Sequence, residues 1–152
     1  MKQSQVFILI SDTFVSLLWY NISMKTYSYR LSLRYDETLQ EKLATLSDDP
    51  HLFTRLIHDP QAYQNLHAAM EEAMKATIEF PEIDFETNDA VVIFSIERSG
   101  SNCLSIDQIR QEDKVLHVVL QREHGLTMDI GYFLIVIATE KTDANKANIT
   151  VI

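Results

Sequence analysis

Two short apolar runs constrain this chain more than anything else in it: Ala90-Val-Val-Ile-Phe-Ser-Ile96 and Tyr132-Phe-Leu-Ile-Val-Ile-Ala138. Each is rich in β-branched residues and too short to be a helix of that hydrophobicity, so both read as buried strands. Between them, Cys103–Arg110 and Lys114–Glu123 alternate in part, as strands with one wet face do. The stretch from Ala90 to Lys141 therefore reads as four successive strands joined by short turns, with the upstream residues covering one face.

Upstream, Tyr27 to Tyr35 has strict period 2. Tyr27, Tyr29, Leu31, Leu33 and Tyr35 share one face, and Ser28, Arg30, Ser32 and Arg34 share the other. The Arg30/Arg34 ladder reads either as an anion-binding face or as the charged face of an edge strand. Three helices are expected next. One runs from Asp36 through Leu46, with Leu39 and Leu43 on its stripe. A short one starts at Pro50 and offers Leu52, Phe53, Leu56 and Ile57. A long one starts at Pro60, offers Tyr63, Leu66, Met70 and Met74, and stops before Phe80-Pro81. Asp49-Pro50 and Asp59-Pro60 repeat one start signal, an Asp cap followed by Pro at the first helical position.

The expected fold is α+β: an antiparallel sheet of about five strands with a block of three helices packed on one face. At 152 residues the chain is long enough for one self-sufficient core. Its predicted organisation is an apolar N-terminal segment 1–23, a single domain 24–141 and a C-terminal tail 142–152, with Thr142 to Asn148 lacking fixed structure. The apolar stretch Val6–Ile22 is broken by Ser11-Asp12-Thr13. It reads as a buried strand or helix, as a poor signal or anchor segment, or as an extension preceding an alternative start at Met24. No firm membrane span emerges.

Charge is unevenly placed. The net value is −9; residues 1–35 sum to +3, residues 36–89 to −10 and the remainder to −2. An acidic middle opposes nucleic-acid binding, which needs a basic face, and suits steering of a basic protein. Cys103 is the only cysteine, so no internal disulfide forms, and its position far from the N-terminus sets aside a lipid-anchored start.

No catalytic, cofactor or metal residues emerge from the sequence. Cys103, His117 and Asp107 suggest a nucleophile, a base and its orienter. With Gln111–Lys114 as the turn, Asp107 faces His117, and Leu104 and Ile106 face Leu120 and Val118. Cys103 then faces Gln121, roughly 13 Å along the strand from His117 and beyond hydrogen-bond reach. His67 and Glu71 have workable spacing for two ligands on one helix face, but His51 and His58 do not converge on them. Three glycines are too few for a phosphate or dinucleotide loop. The remaining candidate is the turn Arg98-Ser99-Gly100-Ser101-Asn102, read either as a protein-recognition loop or as a plain hairpin connection.

From Pro81 to Lys141 the chain resembles the bacterial PrcB-like domain family, named after an accessory lipoprotein that stabilises a cell-surface protease. The resemblance rests on Pro81-Glu-Ile-Asp-Phe85, Val91-Val-Ile-Phe94, Ser99-Gly100, Lys114-Val-Leu-His-Val118 and Ile135-Val-Ile137. Ser101-Asn102-Cys103 stands where the family usually has Gly-Gly-Tyr. The resemblance implies a non-enzymatic accessory domain that binds or stabilises a protein partner, an envelope protease among the candidates, in the cell envelope. Two other readings stand beside it. One is a small acidic immunity or inhibitor protein that blocks a basic target; whatever the reading, a true start at Met24 implies a cytoplasmic chain. The other is an enzyme marked by a pocket with a perturbed titratable group.

Overall fold

The computed structural model describes residues 8–10, 13–15, 24–33, 41–42 and 51–152. In chain order the elements are β1 (Ile8–Ile10), β2 (Thr13–Val15), β3 (Met24–Leu31), β4 (Leu52–Ile57), α1 (Pro60–Met74), β5 (Asn88–Glu97), β6 (Cys103–Glu112), β7 (Val115–Glu123), β8 (Gly131–Glu140) and β9 (Lys146–Val151). Strands β1 and β2 pair with each other. Four strands form an antiparallel sheet in the order β3-β8-β5-β4, and β6-β7-β9 form a second sheet in which β9 runs parallel to β7.

The two apolar runs are the central strands β5 and β8, and their lack of alternation follows from burial on both faces. Ala90, Val92, Phe94, Tyr132, Leu134 and Val136 point to one side, where Tyr63 and Met70 of α1 meet them. Val91, Ile93, Phe133, Ile135 and Ile137 point to the other, against Leu104, Ile109, Leu116, Val118 and Leu120 of the second sheet. The result is three layers: helix, sheet, sheet.

This corrects the expected block of three helices on one five-stranded sheet. Among the described residues the only helix of more than two residues is α1. It starts as read: Pro60 opens it, and the Asp59 carboxylate accepts the Ala62 amide at 2.8 Å. Lys75, in the left-handed region at φ 51°, ends it. The segment expected as a short helix from Pro50 is instead β4, paired along its length with β5. Its apolar residues lie four apart, a spacing that serves a helix stripe and a strand face alike. Phe53 and Ile57 enter the helix-side core, whereas Leu52 and Leu56 enter the inter-sheet core. Of the helix expected over Asp36–Leu46, only Glu41 and Lys42 are described, and they are helical.

Of the four later strands only β6 and β7 pair in succession. β5 leaves one sheet and β6 enters the other, so β5 finds β8 and β4 as neighbours. The β6–β7 hairpin turns through Asp113 and Lys114 alone, with Asp113 at φ 53°, and not through Gln111–Lys114. A bulge between Ile106 and Gln108 shifts the register again. It is what lets Ile109 follow Leu104 and Ile106 into the same core; strict alternation would have turned Gln108 and Arg110 inward.

Residues 142–152, expected as a tail, belong to the fold. The buried Asp89 carboxylate accepts Lys141 Nζ at 2.7 Å and the Thr142 amide at 2.8 Å, with His58 Nδ1 at 3.0 Å. From there β9 lays Ala147, Ile149 and Val151 on the inter-sheet core. Of segment 1–23, the described residues form the β1–β2 hairpin. No helix among the described residues is long and apolar enough to cross a membrane.

Candidate functional site

The candidate recognition residues lie at one end of the sandwich, where two loops cross between sheets. Loop 98–102 links β5 to β6, and loop 124–130 links β7 back to β8. Because β5 and β6 lie in different sheets, loop 98–102 is an inter-sheet crossing, and the plain-hairpin reading does not apply to it.

All three glycines of the chain lie where these loops pack back to back. A Cβ at Gly125 would lie 1.9 Å from Ser101 Oγ and 2.5 Å from the Ser101 carbonyl carbon. At Gly131 it would lie 2.8 Å from the Gly100 Cα, and at Gly100 2.3 Å from an Asp129 carboxylate oxygen. At Gly125 and Gly131 glycine serves close backbone approach and not an unusual dihedral, whereas at Gly100 the atoms in the way belong to the Asp129 side chain.

Polar groups fill the contact. The Ser99 hydroxyl is 2.7 Å from the Thr127 hydroxyl and 3.0 Å from that of Ser101. The Ser101 amide donates to Thr127 Oγ1 at 3.1 Å, and the Thr127 amide returns a bond to Ser101 Oγ at 3.3 Å. Gly100 donates its amide to the Asp129 carbonyl at 3.0 Å. Thr127 and the Gly100 amide hold the Asp129 carboxyl below its ordinary pKa.

Beneath the loops lies a buried charge pair. Glu97, at the end of β5, is 2% exposed. Arg122, near the end of β7, grips it with Nε at 2.5 Å from Oε1 and Nη2 at 2.9 Å from Oε2. Ser95 Oγ donates to the carboxylate at 2.7 Å and Asn102 Nδ2 at 3.3 Å. Burial alone would push this carboxyl up; the bonds from Arg122 and Ser95, the Arg122 charge and Asn102 outweigh it and hold its pKa low. With four donors on its two oxygens, Glu97 is a structural anion with no spare capacity as a base. Asn102 completes the joint, accepting the Gly125 amide on Oδ1 at 2.7 Å. Arg30 stacks over Phe133 and donates to the Asn102 carbonyl at 3.3 Å, so this arginine of the predicted ladder braces the loop; Arg34 lies outside the described residues.

The five predicted residues differ in their surroundings. Ser99 and Asn102 are buried and hold the loops together, and Gly100 is half-buried. Arg98 and Ser101 are exposed, and Arg98 lines a cavity of about 250 Å³ with His51, Ile96, Arg122, His124 and Ile130. The sequence reading missed loop 124–130. There the residues between Gly125 and Gly131 alternate: Thr127 and Asp129 bind inward, while Leu126 is 98% exposed and Met128 99%. The available signal was two of only three glycines bracketing apolar residues in a stretch that is not a strand.

The other candidates are placed apart from this site. His67 Nε2 meets the Ile78 carbonyl, and Glu71 accepts the Ile78 amide at 2.9 Å, so the proposed ligand pair clasps the chain that follows α1. Cys103 pairs with Glu123 and not Gln121, six residues or roughly 20 Å along β7 from His117. Asp107 sits at the bulge, and Arg110 faces His117 in its place. Among the described residues no three His, Cys, Asp or Glu side chains group as metal ligands would. Comparisons with protein-family models, curated proteins and solved structures give no match.

Proposed function

We propose that this protein is a non-enzymatic accessory domain that binds or stabilises a protein partner through the paired loops 98–102 and 124–130. The observation that carries this reading is the contrast within loop 124–130. Thr127 and Asp129 are tied down by loop 98–102, while Leu126 and Met128 between and beside them stand almost fully in solvent. Two large apolar side chains held out close together on a braced loop suit a docking surface. Burying both in a partner is worth roughly 3–6 kcal/mol. The loop is already ordered by its own hydrogen bonds, so little of this is lost to ordering on contact. Methionine at such a tip adapts to imperfectly matched pockets.

A protein partner is favoured over a bilayer because a net charge of −9 opposes approach to anionic lipid. The resemblance to PrcB-like domains points to the same role, with an envelope protease as the candidate partner and the cell envelope as the compartment. A second reading, an inhibitor that plugs a basic target, draws support from the exposed acids Glu79, Glu82, Asp84 and Glu86 in the connector between α1 and β5. Binding of that kind would lose association rate steeply as salt rises, whereas apolar docking would not.

The test is a photo-crosslinking amino acid at position 126, in cells that make the protein. One adduct of defined mass that persists at high salt and is lost in Met128→Asp is the expected result. An adduct pattern unchanged by Met128→Asp, or identical to that from a crosslinker at Lys146, sinks the loop as a docking surface. An adduct with lipid only would move the reading to a membrane surface.

A further inference from the structure

The cavity beside loop 98–102 has a chemistry unlike the rest of the molecule. In a chain of net charge −9, its lining includes Arg98, Arg122, His51 and His124, and its single acid is Glu97. That acid is consumed: both its oxygens are taken by Arg122, Ser95 and Asn102. Arg122 spends only its Nε and Nη2 groups on Glu97, which leaves the Nη1 edge of a 30%-exposed guanidinium without a side-chain acceptor among the described residues. Arg98 and His124 donate to no acceptor among the described residues. Ile96 and Ile130 supply an apolar wall. Planar guanidinium donors beside an apolar wall match a carboxylate attached to a small apolar group better than a free inorganic anion. We infer that this cavity is a carboxylate-binding site, with Arg98 and the outer edge of Arg122 as the anion-holding groups.

Two sources could supply the group, a free organic acid or the carboxylate of a docked protein. The shared chemistry is tested by titrating the full-length ¹⁵N-labelled protein with N-acetyl-leucine, N-acetyl-leucinamide and inorganic phosphate, and following backbone amide shifts. The expected result is saturable shifts at residues 96–98 and 122–124 with N-acetyl-leucine, with the amide and phosphate at least ten-fold weaker. Arg98→Gln, a change at an exposed side chain, should weaken N-acetyl-leucine at least ten-fold with the rest of the spectrum preserved. If Arg98→Gln also removes the crosslink from position 126, the carboxylate comes from the docked protein; if the crosslink stays, it comes from a free acid. Equal response to N-acetyl-leucine and its amide, or no saturable shift at these residues, would overturn the inference.

Discussion

Removing Arg122 should expose how the loop platform is held. In Arg122→Gln the Glu97 carboxylate, 2% exposed, keeps only the Ser95 and Asn102 bonds and loses its counter-charge. Breaking a buried ion pair from one side typically costs about 3–5 kcal/mol. Glu97→Gln is the milder change. It leaves no buried charge, Arg122 at 30% exposure regains water, and a cost of about 2 kcal/mol covers the lost charged hydrogen bonds. The pH dependence separates the two variants. Glu97 in the wild type has its pKa held below the unfolded value, so its contribution is complete above the unfolded carboxylate range and is lost as pH falls through the folded value. In Arg122→Gln burial dominates and pushes that carboxyl up, so protonation relieves the defect and the gap to wild type narrows as pH falls from 7 towards 4.5. Urea unfolding at both pH values reads this as shifts in midpoint at constant slope. For a chain of this size the neutral-pH loss corresponds to a fall in Tm of roughly 6–20 °C. A deficit under about 1 kcal/mol at pH 7, or one that stays constant down to pH 4.5, would refute the reasoning.

Other consequences are equally measurable. Gly125→Ala drives a methyl against Ser101 backbone as well as its hydroxyl, and should cost about 1–3 kcal/mol by urea unfolding; Gly125→Ala at wild-type stability would mean the loops are not in close contact. Leu126→Ser and Met128→Ser touch nothing in the fold and should change stability by less than about 0.5 kcal/mol, a check that separates docking from folding roles. Deleting residues 142–152 strips Ala147, Ile149 and Val151 from the inter-sheet core and takes the Thr142 amide from Asp89, and should leave a chain without a cooperative unfolding transition. Hydrogen exchange should find the Gly125 and Ser101 amides protected, because each donates across the loop contact.

What was legible in the sequence was local. The unbroken apolar runs of β5 and β8 announced strands, though not their burial on both sides, and Asp59-Pro60 announced the start of α1 to the residue, while its end comes at Met74 and not at Phe80-Pro81. The pairing of those strands was not legible, because a strand buried on both faces says nothing about its neighbours. β4 was mistaken for a helix because Phe53/Ile57 and Leu52/Leu56 keep a four-residue spacing that suits both periods. The β6–β7 register slipped because the two-residue turn and the bulge shift pairing in ways that a count of residues across a presumed four-residue turn misses. β9 was read as a tail since Ala144 and Ala147 carry little hydrophobic signal, yet both are buried. At the candidate site, Arg98–Asn102 stood out through its glycine and hydroxyls. Its counterpart, loop 124–130, did not, because Thr127 and Asp129 acquire meaning only once the two sheets bring them to Ser99, Gly100 and Ser101.

The most direct test of the docking account is the affinity of the partner identified by crosslinking, measured for the wild type and for the Leu126→Ser/Met128→Ser double variant in parallel with urea unfolding of both. Loss of roughly 3–6 kcal/mol of buried apolar surface predicts binding weakened by about 10²–10⁴-fold at unchanged stability. Binding within about three-fold of wild type, or a loss matched by equal loss of folded protein, would contradict the claim that these two side chains carry the contact.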